Sequence, residues 1–362
     1  MRKICTLLTI FIFSGSLAYS QTTAEKYAVQ INARINQNPA NLTLFWKGDT
    51  DASQYEIFRK DKGAATWGSG LATLDGTDTS WTDLNIQAGE AYEYRVVKTT
   101  GSYTGYGYLY GGIEVPAVDS RGTIILIVDK THLPQLEAEV DRLVMDMTAD
   151  GWSVLRHNYD TGTGNPVMEV KSLIIADYNA NPTGVKAVFL LGHIPVPYSG
   201  NFAIDGHTDH AGAWPADVFY ADATNTGWQD ATINNTAPTR EANHNIPGDG
   251  KFDNDILPTS LELYVGRVDM HNMPAFGLSE TELLRRYLDK DHAWRTGQVT
   301  VRDKAIVDDH WGAMGGESFS ASGFKSFAPA VGIENIEQAD FFPAAKANSY
   351  LWAYGGGAGA YN

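Results

Sequence analysis

The sequence predicts a multi-domain chain: a small all-β sandwich, then an α/β region on a mostly parallel sheet, then the beginning of a second α/β region. Three observations carry that prediction. From about residue 28 to residue 118, apolar residues alternate with polar ones between clusters of Gly, Asp and Thr, the pattern of short strands half-buried on one face. After a linker at residues 116–122 come two largely apolar runs, residues 124–128 and 185–191, as expected of parallel strands covered on both faces. Between those runs the apolar positions repeat with a helical period.

In the sandwich segment Leu42, Leu44 and Trp46 alternate, as do Tyr55, Ile57 and Arg59, and then Tyr92, Tyr94 and Val96. Turn residues separate them at Gly48-Asp49, Gly63, Asp75-Gly76 and Gly101. Trp46 on an early strand, and the segment Gly89-Glu90-Ala91-Tyr92-Glu93-Tyr94-Arg95-Val96, which looks like a tyrosine-corner strand, resemble a fibronectin type III domain over residues 25–118. Such modules act as spacers or adhesive units, so this part assigns no activity.

In the α/β region, Pro134 suits the first turn of a helix whose apolar positions are Leu136, Val140, Leu143, Val144 and Met147, and Gly151 ends it. A strand at residues 152–157, a helix at 167–178 and the second buried strand follow. That β-α-β-α-β alternation implies an open sheet with helices on both faces. A loop-rich insertion runs over residues 195–258. Residues 263–268 then read as a strand, and Ser279 with Glu282 as a capping box opening a helix with Leu283, Leu284, Tyr287 and Leu288 on one face. Lys304-Ala305-Ile306-Val307-Asp308 starts a second copy. The expected segments are 1–20, 25–118, 122–297 and 299–362, and the sheet begun in the last of these reads as cut short.

Residues 1–20 read as an export signal: Arg2 and Lys3, an apolar stretch at 4–13 too short to span a bilayer, and Ala18-Tyr19-Ser20 before a cleavage point. The one cysteine, Cys5, lies inside that signal. A mature chain starting at Gln21 therefore has no thiol within these residues, for a disulfide or for catalysis. No later stretch reads as a transmembrane helix. The net charge of −16 disfavours nucleic acid and anionic membrane surfaces as partners. A secreted or cell-surface protein is expected, with a cell-surface ligand as partner if it binds rather than cleaves.

Four segments of the α/β region carry a second resemblance: Val188-Phe189-Leu190-Leu191-Gly192-His193-Ile194-Pro195, Ala216-Asp217-Val218-Phe219-Tyr220-Ala221-Asp222, Leu263-Tyr264-Val265-Gly266-Arg267-Val268, and the helix at 279–287. In this order they resemble the gingipain family of secreted cysteine peptidases over roughly residues 122–291. That family's catalytic region is two caspase-like α/β halves in tandem. The resemblance implies a three-layer parallel sheet in each half and thiol-dependent hydrolysis, with an extracellular protein or peptide as substrate. It also implies a His in a Gly-His-Gly turn of the second half, with a Cys after the next strand. Here that turn reads Tyr354-Gly355-Gly356-Gly357, so Gly356 stands at the His position, and the Cys strand would fall beyond Asn362. A non-catalytic relative, a misaligned turn, or chemistry placed elsewhere each fit.

Other polar constellations have two readings. Asp205-Gly206-His207-Thr208-Asp209-His210, with Trp214 after it, is the densest polar cluster. His207, Asp209, His210 and Trp214 form either a metal or substrate site above the sheet, or a loop whose imidazoles bond to backbone. Gly248-Asp249-Gly250-Lys251-Phe252-Asp253-Asn254-Asp255 fits either a structural calcium loop with Asp249, Asp253 and Asp255 as ligands, with oxygens from residues 228–230 added, or a plain acidic turn. Asp308-Asp309-His310 cannot all converge, because strand neighbours point to opposite faces; one carboxylate capping the next helix is expected. Ser318 and Ser320 sit in a Gly-Ser loop without a nucleophile elbow. The peptidase reading leads. A non-catalytic adhesion or binding protein is the alternative, and a polysaccharide hydrolase is suggested only by Trp214, Trp228 and Trp311, expected to be exposed.

Overall fold

A computed structural model describes residues 24–116, 119–160, 166–204, 207–224, 226–310 and 320–356. The expected export signal with Cys5, and Trp311, Ser318 and Gly357, lie outside them. The described residues form two compact units: those up to Pro116 together with those from Val301 on, and those from 119 to Thr300.

The first unit opens with seven strands: β1 (Ile31–Gln37), β2 (Ala40–Trp46), β3 (Ala52–Asp61), β4 (Ala72–Asp75), β5 (Ser80–Asp83), β6 (Ala91–Thr100) and β7 (Thr104–Gly112). They make two antiparallel sheets, β1-β2-β5 and β4-β3-β6-β7, a three-plus-four β-sandwich. The alternation read from the sequence is the core: Leu42, Leu44 and Trp46 face Tyr55, Ile57, Tyr94 and Val96, all buried. Trp46 packs on Tyr55 at 5.2 Å between ring centres and donates from Nε1 to Asp78 O. The Gln87 amide donates to the Tyr92 hydroxyl at 3.3 Å, a tie of the tyrosine-corner kind across the turn before β6.

A buried carboxylate ties the two sheets together. Asp83, at the end of β5, accepts from the buried Tyr94 hydroxyl at 3.0 Å and from Arg59 Nη1 at 2.8 Å, joining the two sheets. Burial, and then the Asp83 carboxylate, hold the Tyr94 phenol well above its usual range.

The second unit contains β8 (Gly122–Asp129), α1 (Leu133–Ala149), β9 (Trp152–Tyr159), α2 (Pro166–Ala180), β10 (Val185–Leu191), β11 (Tyr198–Phe202), β12 (Gly212–Pro215), α3 (Val218–Ala221), β13 (Tyr264–Val268) and α4 (Glu280–Arg295). Its main sheet is parallel, in the order β13-β10-β8-β9. Alternate residues of β8 serve opposite layers. Ile124, Leu126 and Val128 pack against α1 and α4 through Leu136, Val140, Leu143, Leu284 and Leu288. Ile125 and Ile127 pack against Val170 and Ile174 of α2 and Phe219 and Tyr220 of α3. A continuous apolar run on a strand covered twice has this cause: three layers. Arg285–Glu139 at 2.9 Å, Arg142–Asp289 at 2.6 Å and His292–Asp146 at 2.9 Å lace α4 to α1. Ser279 caps α4, accepting from the Glu282 amide at 3.2 Å. The expected reciprocal half of the capping box is not made, because the Glu282 carboxylate binds Arg285 and Arg286 instead.

The chain then returns to the first unit with β14 (Ala305–Asp309), α5 (Ser320–Val331), β15 (Ile336–Gln338), α6 (Phe341–Ala347) and β16 (Trp352–Gly356). These strands form a parallel sheet in the order β15-β14-β16. One sequence expectation is corrected here. Ser320 is not in a loop: it is buried at the start of α5. Asp308 Oδ2 accepts from the Phe341 amide at the start of α6. α5 also packs on the sandwich: Ala24 and Ala28 share a core with Val307 and Phe324, and Asn32 Nδ2 donates to Ala328 O.

Replacing Asp83 by Ala strands a buried phenol and a guanidinium. Unfolding by urea is expected to show a loss of about 3–5 kcal/mol; a loss below about 1 kcal/mol contradicts the inter-sheet role.

Candidate functional site

In an open parallel sheet, ligands sit beyond the carboxyl ends of the strands, where neighbouring strands lead off in opposite directions. In the second unit that place lies between β8 and β10. The chain leaves β8 for β9 on one side, while β10 lies on the other and passes to β13. β8 ends on Asp129, 5 % exposed at its side chain. Beside it β10 is followed directly by Gly192, whose φ is +90° and where a Cβ would stand 2.5 Å from Asp129 Cβ. Only glycine permits this approach.

Polar side chains from four further places gather at that edge. His132, following β8, sets Nδ1 at 3.0 Å from Thr281 Oγ1 and Nε2 at 3.1 Å from Glu280 Oε1, with Asp129 Oδ2 at 3.7 Å. Glu280 Oε2 faces His271 Nδ1 at 3.2 Å. His271 stacks on His193 with ring centres 3.9 Å apart, and His193 Nδ1 lies 2.9 Å from Asp269 Oδ2. The first turn of α4, the loop after β13 and the ends of β8 and β10 thus supply three imidazoles and three carboxylates.

The insertion is rooted beside this edge. Arg267 on β13 forks onto Asp217, with Nε to Oδ2 at 2.7 Å and Nη2 to Oδ1 at 2.8 Å, and donates to the carbonyls of Ile194 and Pro195. The Tyr220 hydroxyl donates to Pro195 O at 2.7 Å, and the amides of Glu262 and Leu263 donate to Ala221 O. Three of the segments behind the peptidase resemblance therefore clasp one another. Lys171 of α2, fully buried, donates to Phe219 O and Asp222 O; burial pulls its amine down to about 8 against the pull of Asp222 and Glu262.

Of the residues singled out in the sequence, His207 and His210 stand together, ring centres 5.2 Å apart, with Asp209 Oδ2 3.8 Å from His210 Nε2. Trp214 donates from Nε1 to Phe202 O and, with Phe202, Trp228, Asp217 and Asp255, lines a cleft of about 310 Å³. Asp205 and Gly206 lie outside the described residues. Trp214 and Trp228 are half-buried, not exposed. Trp228 is fixed edge-on to Phe219 and donates to Asp222 Oδ2 at 2.7 Å, so packing claims much of the ring.

The acidic residues of the 248–255 loop are not brought together among the described residues. Asp253 accepts from the amides of Ala231, Thr232 and Ile233 and from the Thr232 hydroxyl. Asp249 accepts from the amides of Ile246 and Lys251, and Asp255 from that of Asn201. Asp230, expected to add an oxygen there, takes the amides of Gly248 and Gly250. Burial raises the Asp253 carboxyl, and its amide and hydroxyl donors outweigh that and hold it below its usual value.

Asp308 and His310 lie on the same side of β14's end, His310 Nε2 at 2.9 Å from Asp308 Oδ1, with Asp340 Oδ1 at 3.8 Å. Asp309 is outside that group, as strand alternation requires. Gly356, at the end of β16, pairs with Asp309, and its carbonyl accepts from the His310 amide at 2.8 Å.

No family model and no curated protein matches this chain. Among solved structures it is similar to a fibronectin type III-like protein from Clostridium thermocellum, at 20 % identity and TM-score 0.20, covering 24 % of this chain and 90 % of that one. A human collagen alpha-1(XX) fibronectin type III domain shares 17 % identity over 25 % and 88 % of the two chains, TM-score 0.20. Pectate lyase PelI from Erwinia chrysanthemi, solved with tetragalacturonic acid, shares 16 % over 28 % and 34 %, TM-score 0.21, so only about a third of that enzyme's length is spanned. The β-sandwich rests on its own strand order.

Asp253 was singled out as a calcium ligand; in the structure it anchors backbone. Asp253→Asn is expected to cost about 1–3 kcal/mol at pH 7 by chemical unfolding. Because the folded carboxyl titrates below the unfolded one, the wild type's advantage is present above the unfolded pKa and vanishes as pH falls through the folded value. A gap that persists unchanged to pH 2 contradicts this assignment.

Proposed function

We propose that the chain belongs to a secreted or cell-surface protein built on the scaffold of gingipain-type cysteine peptidases, whose complete form hydrolyses extracellular protein. The observation that carries this reading is the strand order. The first parallel sheet runs second-first-third-fourth in chain order, and the other runs second-first-third, so the same arrangement is begun twice, as tandem halves would be. The clasp between Asp217 and Arg267 supports it further, since it joins segments chosen on sequence alone.

The chemistry such a scaffold needs is a thiolate and an imidazole at the carboxyl edge of the second sheet. Gly356 ends its third strand; by the resemblance it stands where the family has its His, and a glycine cannot move a proton. Ser320, the serine nearest to a nucleophile reading, is buried in α5. A structural calcium ion on Asp249, Asp253 and Asp255 stays a separate proposal: each carboxylate accepts a backbone amide and keeps further lone pairs for a cation.

A second reading, a non-catalytic binding protein, is favoured by the cleft under Trp214. Phe202 and Trp228 line it beside the carboxylates of Asp217 and Asp255, a surface suited to an extended peptide or sugar carrying hydrogen-bond donors.

The protein made from its full reading frame is expected to cleave a denatured protein substrate and to stop after thiol alkylation. Residues 21–362 alone are expected to do neither. Alkylation-sensitive cleavage by residues 21–362, or none by the full protein, overturns the peptidase reading; binding of a peptide or oligosaccharide lost in Trp214→Ala would then favour the second.

A further inference from the structure

The two parallel sheets end in the same side-chain group. In each, the first strand carries Ile-Val-Asp at its carboxyl end: Ile127-Val128-Asp129 closes β8, and Ile306-Val307-Asp308 stands one residue before the end of β14. A histidine follows within three residues, His132 in one case and His310 in the other. A helix start supplies a second carboxylate, Glu280 of α4 and Asp340 before α6. Within each trio the potential ligand atoms all lie within 4.8 Å of one another.

The first trio has a defect as it stands. His132 Nδ1 is engaged by Thr281 Oγ1, which directs Nε2 at two carboxylates. Glu280 Oε1, shut off from solvent, makes no hydrogen bond, although that Nε2 is 3.1 Å away. Asp129 is buried, and its Oδ1 is taken by the Thr131 amide. A carboxylate oxygen left in that state is costly unless a positive charge lies among the acceptors. The second trio repeats the defect independently. Asp308, 8 % exposed at its side chain, has its Oδ1 shut off from solvent and without a hydrogen bond, 2.9 Å from His310 Nε2.

We propose that Asp129, His132 and Glu280 bind a divalent cation of the borderline class, with Zn²⁺ as its representative, and that Asp308, His310 and Asp340 form the counterpart site in the other sheet. The chemistry selects the class. One imidazole with two carboxylates suits zinc, whereas calcium and magnesium take oxygen ligands. The spacing agrees: ligands at zinc bond lengths in a tetrahedron stand about 3.3 Å apart, and the Nε2 separations here are 3.1 and 3.7 Å. Thr281 on Nδ1 and the Thr131 amide on Asp129 do what outer partners of metal ligands do, fixing tautomer and orientation. Three protein ligands leave a fourth position for water or a substrate oxygen. The site is independent of the peptidase reading and stands or falls separately.

A proton shared among the same three groups would satisfy the same charges, and calorimetry separates the two. The purified chain, stripped with chelator and titrated with ZnCl₂ at pH 7.5, is expected to bind Zn²⁺ stoichiometrically. His132→Asn should remove one equivalent, Asp308→Asn another, and the double variant both. Should His132→Asn fold poorly, Glu280→Gln reads the same site, and Zn²⁺ should raise the melting temperature of the wild type but not of a variant lacking both sites. No stoichiometric Zn²⁺ binding by the wild type, or a stoichiometry indifferent to both His132→Asn and Glu280→Gln, overturns the proposal.

Discussion

The fork between Arg267 and Asp217 holds the α/β unit in its observed form. β13 is an edge strand, paired only to β10 within its sheet, and residues 192–263 separate the two in sequence. A five-residue strand closing so long a loop needs an anchor beyond its ladder. Arg267 supplies it by reaching from β13 to Asp217 and to the carbonyls that leave β10. Both partners are largely buried, so neither charge is well solvated if the other leaves. With β13 fixed in register, the chain beyond Val268 delivers Asp269, His271 and the start of α4 to the end of β8.

That delivery is what gives the carboxyl edge its chemistry. Asp129 arrives on a strand covered by helices on both faces, and Gly192 lets β10 lie close against it. Glu280 arrives on the first turn of α4, whose other turns are pinned to α1 by ion pairs and leucine packing. In the other unit a shorter sheet repeats the first of these steps, with Asp308 at the end of β14, but takes its second carboxylate from before α6. The strand-end aspartate and histidine are common to both sheets; the element that completes the group is not.

Much of the fold was legible in the sequence because its signals are local. Alternation along β2, β3 and β6, the apolar run of β8, the proline in the first turn of α1 and Gly151 beyond its end each act within a few residues. The site was much less legible. Asp129 and His132 are three residues apart at a strand end and could have been noticed, but Glu280 lies 148 positions further on and only the parallel sheet brings it there. Of the dense clusters that drew attention, Asp249 to Asp255 is dense because its carboxylates hold the backbone of the insertion. Ser320 was misread because buried helix starts and polar loops share the same small residues.

The claim that the fork organises the α/β unit is tested most directly by a double-mutant cycle on Asp217→Leu and Arg267→Met, read by urea unfolding of the chain. A structural fork predicts that each single change costs about 3–5 kcal/mol and that the double change recovers about 2 kcal/mol or more of their sum. Costs that add to within about 0.5 kcal/mol would mean that the two charges do not depend on each other, and the insertion and β13 would then have to be held by some other contact.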